Sequence, residues 1–568
     1  MSLPSRVRCG AALGLIALAG HAAAQAPYIG TGSGSDGPGG LYGHSVAQLH
    51  DVNGDGFHEL LVGAPGHDEN GTDSGAVIVV DGVHGFIEYE LHGSLAGDEL
   101  GWSVANLGDV NGDGIDDFAA GRPGRDFLGA IDAGGVEVHS GSDGSLLWSK
   151  TWTAAGARAG SVVAAAGDVN GDGRGDVLVG APAFDGPSAP ADPSWGRAVL
   201  YSGATGAVLK TVTGTVDNDR LGAALAGLPD LNGDGVPEFA IGVPGREVGS
   251  PFALVNAGAC DVYSGLTKAL LFSVDGGAAN EACGSSVARL GDTDHDGSNE
   301  FVVGRPGWSS DRGRVTVHEG KTGKLIRTLE GPALSAADTY GTAVCAAGDV
   351  NKDGHVDLLV GAPCAGTGFG GYTQVVSGKD WTQYGDILNS SDVFGSALEW
   401  GFGTTIAAGI DTSGDGWVDA VYGMPTSTIG GLDNGFVWGI RFTWFQPDYD
   451  PSELYQGPGS ADLQIYGTKL STGGLADLQV SGAPDFTPVY VLASLAGTPS
   501  NFKGGVLVPQ VSGALIIPLV TDVHGRATLT GIPGGHGPLH IHMQALLPVP
   551  GAPQGWWLSN AITAELLP

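Results

Sequence analysis

A chain of 568 residues with 101 glycines but no Gly-X-Y period is not collagen, and 42% hydrophobic residues argue against wholesale disorder. Only 15% of residues are charged, yet 61 acids against 25 bases leave a net charge of −36. That balance argues against nucleic acid and anionic membranes as partners and suggests carboxylates gathered around cations.

At the start of the chain, Arg6 and Arg8 precede an apolar run, Ala11 to Gly20, too short to span a bilayer. Ala22-Ala23-Ala24 offers a small-residue cleavage site before Gln25. Residues 1–24 are therefore expected to be a secretory signal peptide. The mature protein is expected to be secreted or at the cell surface, with no transmembrane segment.

A unit then recurs seven times. It reads DVNGDGFHE from Asp51, DVNGDGIDD from Asp109, DVNGDGRGD from Asp168, DLNGDGVPE from Asp230, DTDHDGSNE from Asp292, DVNKDGHVD from Asp349 and DTSGDGWVD from Asp411. The spacings are 58, 59, 62, 62, 57 and 62 residues. Eight residues before each first Asp stands a glycine, from Gly43 to Gly403, and each motif is followed by an apolar run ending in Gly-x-Pro, from Gly63 to Gly423. Runs such as SVAQL (45–49), LLVG and FVVG, bounded by Gly and Pro, read as strands. An alternating third segment and a fourth after a turn such as GKTG (320–323) make four short antiparallel strands per unit. Four-stranded units repeated radially predict an all-β, seven-bladed β-propeller.

Each motif carries oxygen side chains at positions 1, 3, 5 and 9. These are Asp51, Asn53, Asp55 and Glu59 in the first loop; Asp109, Asn111, Asp113 and Asp117 in the second; Asp168, Asn170, Asp172 and Asp176 in the third. The fourth has Asp230, Asn232, Asp234 and Glu238, and the fifth Asp292, Asp294, Asp296 and Glu300. The sixth has Asp349, Asn351, Asp353 and Asp357, and the seventh Asp411, Ser413, Asp415 and Asp419. Hard oxygen donors with a backbone carbonyl near position 7 suit Ca²⁺, and the lack of Cys or His at ligand positions argues against zinc or copper. Position 12, where an EF-hand needs a bidentate Glu, holds an apolar residue or Tyr422. A single Asp-Asn-Gly turn forms readily without metal; seven copies predict up to seven calcium ions.

The Gly…DxNxDG…Gly-x-Pro unit resembles the FG-GAP repeat of the integrin α-subunit propeller and its bacterial secreted relatives, over roughly residues 41–445. It departs at the aromatic before the first glycine, present only as Tyr42, Tyr340 and Phe402. The resemblance implies a seven-bladed propeller with calcium between the first two strands of each blade. It also implies ring closure by an N-terminal strand, here Pro27 to Gly30. The propeller is expected over residues 27–445, a linker over 446–460, and a small C-terminal β-sandwich-like domain over 461–568. That domain's strands are expected at Leu463–Tyr466, Val489–Leu495, Ala514–Val520 and Leu539–Ala545.

Three smaller features remain. Arg174-Gly175-Asp176 spells a tripeptide that integrins recognise, but Asp176 is position 9 of the third loop and is expected to face the metal. Cys345 and Cys364 flank one predicted hairpin and are expected to pair, leaving Cys260 with Cys283; buried free thiols are the alternative. His536, His540 and His542 read as ordinary strand histidines before a metal site.

No GxSxG, HExxH, Walker loop or Cys/His pair is present, so no catalytic residues, no organic cofactor and no enzyme are expected. The varied segments after each Gly-x-Pro (66–75, 124–135, 183–196, 245–258 and 307–312) emerge opposite the acidic loops. They carry His67, Arg125, Phe184, Trp195, Arg246 and Trp308. This layout predicts an adhesion or ligand-binding scaffold for an extracellular protein or glycan. The alternatives are a secreted carbohydrate-active or other hydrolytic enzyme, or a purely structural surface protein.

Overall fold

The computed structural model describes residues 29–441 except 33–38, 83, 84, 86, 186–193, 250–252, 294–296, 332–337, 365–370, 384–387, 390–401, 413–415 and 426–434; beyond 461 it describes strands alone. The expected signal peptide and linker lie outside the described residues. The chain divides into two compact units between Phe442 and Thr443.

The first unit is an all-β propeller. Its first blade joins Ser45–Gln48, Glu59–Ala64, Ala76–Asp81 and Ile87–His92 in sequence order, all antiparallel. Five further sheets repeat this pattern of four consecutive strands, the last beginning at Ala343–Gly348 and ending at Leu388–Asn389. The expectation of a seven-bladed propeller is corrected here: six blades are complete in themselves. The seventh repeat supplies three strands, Thr405–Ile410, Asp419–Met424 and Phe436–Arg441, and Ile29–Gly32 adds the fourth, with Ile29 opposite Gly439. Residues 390–401 separate the sixth and seventh repeats and lie outside the described residues.

The first strand of each sheet packs against that of the next, and Ser45–Gln48 meets both Val104–Gly108 and Thr405–Ile410. Second and third strands are buried on both faces, as their continuous apolar sequences require, whereas fourth strands such as Ile87–His92 face solvent. The core consists of wedges between adjacent sheets. Leu60, Val62, Ile78 and Val80 pack on Val421 and Val437; Ala119, Val136 and Val138 pack on Val177, Val179 and Val199. Each such Val, Leu or Ile side chain contributes roughly 1.5–3 kcal/mol.

The two glycines that mark every repeat meet across blade boundaries. A Cβ on Gly63 would lie 1.9 Å from the Gly101 carbonyl oxygen, and one on Gly121 1.9 Å from that of Gly160. The series runs round to Gly423, whose Cβ would lie 1.9 Å from the Gly43 oxygen. Gly101 itself has φ +86°, so both close approach and backbone conformation demand glycine there.

The expected disulfides are not formed: Cys260, Cys283, Cys345 and Cys364 are free thiols. Cys345 stands opposite Leu359, and Cys364 lies five residues further along that chain, roughly 16 Å at strand rise, beyond the ~7 Å Cα limit of a disulfide. Cys260 and Cys283 share one apolar wedge, where burial pushes both thiols up.

The second unit contains a three-stranded sheet (Asp462–Gly467, Leu475–Ser481, Ala527–Pro533) and a hairpin (Ser500–Phe502, Gly505–Leu507). A four-stranded sheet orders Leu515–Val520, Pro488–Ser494, Leu539–Pro548 and Trp556–Leu566.

Candidate metal loops and the opposite face

Each acidic loop joins the first and second strands of a sheet, and its first carboxylate folds it. Asp51 Oδ1 accepts from the backbone N–H of Gly54 (2.6 Å) and Asp55 (3.1 Å), and Oδ2 from Gly56 (2.9 Å). Asp168 and Asp230 repeat these contacts. Asp292, Asp349 and Asp411 each keep the bond from position 6. Gly54 and Gly56 take φ +82° and +93°, which turns the chain tightly enough to bring positions 1, 3 and 5 together. Asp294, Asp296, Ser413 and Asp415 lie outside the described residues.

Position 9 has a role that local reasoning did not supply. Glu59, Asp117, Asp176, Glu238, Glu300, Asp357 and Asp419 are all fully buried, six as the first residue of their strand and Glu238 one residue before its own. Glu59 Oε2 accepts from Val52 N–H at 2.7 Å, Asp117 Oδ2 from Val110 at 2.8 Å, Asp176 Oδ2 from Val169 at 2.9 Å and Asp357 Oδ2 from Val350 at 3.0 Å. The same carboxylate thus clamps the loop backbone; its second oxygen accepts from the Asn at position 3 in Glu59 and Glu238, and from the glycine N–H after the third strand in Asp117, Asp176 and Asp357. The signal that reveals it is the constant seven-residue offset from position 2, which is Val or Leu in five of the seven loops and Thr in the other two.

The acids converge most closely where position 9 is the longer Glu. Among the described residues, carboxylate oxygens of Asp51, Asp55 and Glu59, and of Asp230, Asp234 and Glu238, lie within 4.8 Å of one another. Asn53 Nδ2 donates to Asp55 Oδ2 (3.3 Å) and Glu59 Oε1 (3.1 Å), filling the place between them. Asn111 and Asn170 likewise bridge Asp113 with Asp117 and Asp172 with Asp176. Burial, and then the neighbouring Asp55 and Asp51, push Glu59 up to about 8 against the pull of the Val52 N–H. Burial also raises Asp176 and Asp357 to about 6, with Asp172 and Asp353 adding to it. A buried carboxylate facing two mutually repelling, more exposed ones, with only oxygen donors, fits a hard divalent cation.

The Arg-Gly-Asp tripeptide is not displayed. Asp176 is buried, and Arg174 Nη1 lies 2.9 Å from Asp109 Oδ2 of the preceding loop. His50 similarly reaches across, its Nδ1 2.6 Å from Asp116 Oδ2.

On the opposite face, most side chains expected to meet a ligand are engaged internally. Arg125 bonds Asp98 at 3.1 Å, Arg246 grips Asp261 in two bonds of 2.7 and 2.6 Å, and Trp195 Nε1 donates to Asp217 at 2.7 Å. Phe184 is buried with Arg197 stacked 3.6 Å from its ring centroid, and Trp308 is covered by Arg314. What this face offers instead is a groove of about 730 Å³ across the fourth to sixth repeats, lined by Asp217, Arg220, Glu247, Asn256, Asn280 and Asp311 among others. Sequence reading missed it because its walls come from segments up to about 120 residues apart. Among the described residues no helix is long and apolar enough to cross a membrane.

This arrangement of four-stranded sheets, interlocked glycines and acidic loops defines a β-propeller carrying FG-GAP repeats. The FG-GAP repeat family model matches residues 42–80, 100–138, 159–208 and 340–376. The chain is similar to integrin alpha-5 of Xenopus laevis, 32% identical over 206 residues, 36% of this chain and 19% of that protein. It is also similar to integrin alpha-V of Gallus gallus, 27% identical over 270 residues, 46% of this chain and 20% of that protein. These matches span about a fifth of the relatives' lengths. Among solved structures, the Dos1 propeller aligns with a TM-score of 0.38 and 12% identity over 69% of this chain and 77% of that one.

Proposed function

We propose that this chain is an exported, calcium-stabilised ligand-binding scaffold. In this reading the sheet completed by Ile29–Gly32 closes a seven-bladed ring, and calcium occupies the loops of one face. An extracellular protein or glycan ligand then binds the groove of the other face. The observation that carries the reading is the convergence of Asp51, Asp55 and Glu59, and of Asp230, Asp234 and Glu238, into oxygen clusters, each built on one fully buried Glu. Position 9 anchors each loop to its strand, so a bound ion would tie the loop to the sheet. The groove lies on the opposite face, where a ligand need not compete with the ions.

Removal of residues 1–24 on export, a boundary near 445, the linker at 446–460 and a sandwich-like tail complete the proposal. The test is calcium per mole by elemental analysis, with a glycan array and a hydrolase panel on the same preparation. Metal-free protein whose melting does not change with calcium rejects the calcium reading. Glycan or protein binding without turnover supports the scaffold. Turnover dependent on Asp217, Glu247 or Asp311, the groove carboxylates, would establish the enzyme alternative instead.

A further inference from the structure

Arg174-Gly175-Asp176 is the one motif for which the scaffold reading has no use. The structure turns its two charged ends in different directions. Asp176 points into its own loop, whereas the Arg174 guanidinium crosses to the second loop. There Nη1 pairs with Asp109 Oδ2 at 2.9 Å and donates to the Asp109 carbonyl oxygen at 3.2 Å. The guanidinium also covers Gly112, where an added Cβ would lie 2.3 Å from Nη2. Asp109 is the first acid of the second loop. The first acids of the first and fourth loops, Asp51 and Asp230, have no such ion pair among the described residues, whereas at the third loop Lys268 Nζ donates to the Val169 carbonyl oxygen at 2.8 Å and lies within electrostatic reach of Asp168. Position 7 in the first, second and fourth loops is Phe57, Ile115 and Val236, none of them charged.

We propose that Arg174 is a resident counter-charge for the second loop. It keeps that loop ordered without metal, and it makes the loop a weaker calcium site than the first and fourth loops. This rests on the calcium reading above. A divalent ion entering the second loop must share the Asp109 carboxylate with a fixed guanidinium, and like charges a few ångströms apart at a surface change affinity by about five- to tenfold. In the absence of calcium the same guanidinium offsets repulsion among Asp109, Asp113 and Asp117.

The experiment is calorimetric calcium titration of the full chain and of four variants: Arg174→Gln, Arg174→Met, Arg174→Lys and Arg174→Gln combined with Asp109→Asn. Denaturant unfolding in EDTA runs alongside. Either neutral variant should raise the affinity of one site about five- to tenfold and lower the unfolding midpoint in EDTA. The Met variant keeps the aliphatic stem over Gly112 should Gln impair folding. Arg174→Lys should behave as wild type, and the double variant should lose both the gain and the site. A wild-type protein that binds calcium, with no site strengthened in either neutral variant, overturns the counter-charge alone. A wild-type protein that binds none overturns the calcium reading and this inference with it.

Discussion

Replacing Glu59 by Gln should stabilise the metal-free protein and destabilise the calcium-loaded one. Glu59 is fully buried and its carboxyl is pushed up to about 8, from 4.5 when unfolded, chiefly by burial and then by Asp55 and Asp51. At pH 7.5 this shift opposes folding by about 4 kcal/mol, at 1.36 kcal/mol per unit. Gln is the isostere of the protonated acid and keeps an acceptor for the Val52 N–H. Its amide nitrogen then faces Asn53 Nδ2, which costs about 1–2 kcal/mol. The expected net gain in EDTA at pH 7.5 is about 2 kcal/mol; near pH 5, where Glu59 is already protonated and the shift opposes folding by only about 1 kcal/mol, the gain vanishes or becomes a small loss. With 1 mM calcium and a Kd of about 0.1 mM the variant forfeits one ion and about 1.4 kcal/mol of linkage. Denaturant unfolding at both pH values, with and without EDTA, and calcium per mole supply the readouts. A variant less stable than wild type by more than about 1 kcal/mol in EDTA at pH 7.5, or one with unchanged calcium content, would refute the reasoning.

Chelation as a whole should act more strongly, since seven sites at about 1.4 kcal/mol each approach 10 kcal/mol, and magnesium should rescue poorly because it prefers a tighter octahedron. The pH dependence should reverse sign with calcium. Asp176 and Asp357 near 6 and Glu59 near 8 are raised in the folded state, so their contribution is full below the ordinary carboxylate value of about 4 and is lost as pH rises through 6 to 8. Chelated protein should therefore gain stability between pH 8 and 5.5, while the calcium form loses it; melting curves of both forms with the same slope would contradict this. Asp176→Ala should lower calcium content by about one and reduce stability without selectively abolishing cell attachment, measured by elemental analysis and an adhesion assay. Gly101→Ala should cost several kcal/mol, its Cβ falling 2.1 Å from the Ala76 carbonyl oxygen at φ +86°, whereas Gly108→Ala, with nothing within 4 Å, should cost only about 1 kcal/mol; paired denaturation curves compare them.

Strand character and the acidic loops were legible because each is written within about 20 consecutive residues. Asp51, Gly54 and Gly56 turn the loop and Glu59 clamps it, all within nine positions, so local spacing carries the ligand candidates. Pairing Cys345 with Cys364 failed for the converse reason. A predicted hairpin does not state its register, and five residues of offset placed the thiols too far apart.

The sequence by itself determined an all-β chain of acidic, glycine-marked repeats, because backbone conformation and short-range hydrogen bonding are local properties. Only the tertiary structure decided what those markers touch. Gly63 is a glycine because of Gly101 in the next blade, and Gly423 because of Gly43 at the other end of the unit. Ile29–Gly32 completes the last sheet from about 400 residues away, since an exposed edge strand is satisfied only by a free one. Arg174 faces Asp109, 65 positions earlier, because neighbouring blades place successive loops side by side. Closing a ring converts one repeat length into a spatial contact, and no window along the chain contains both partners.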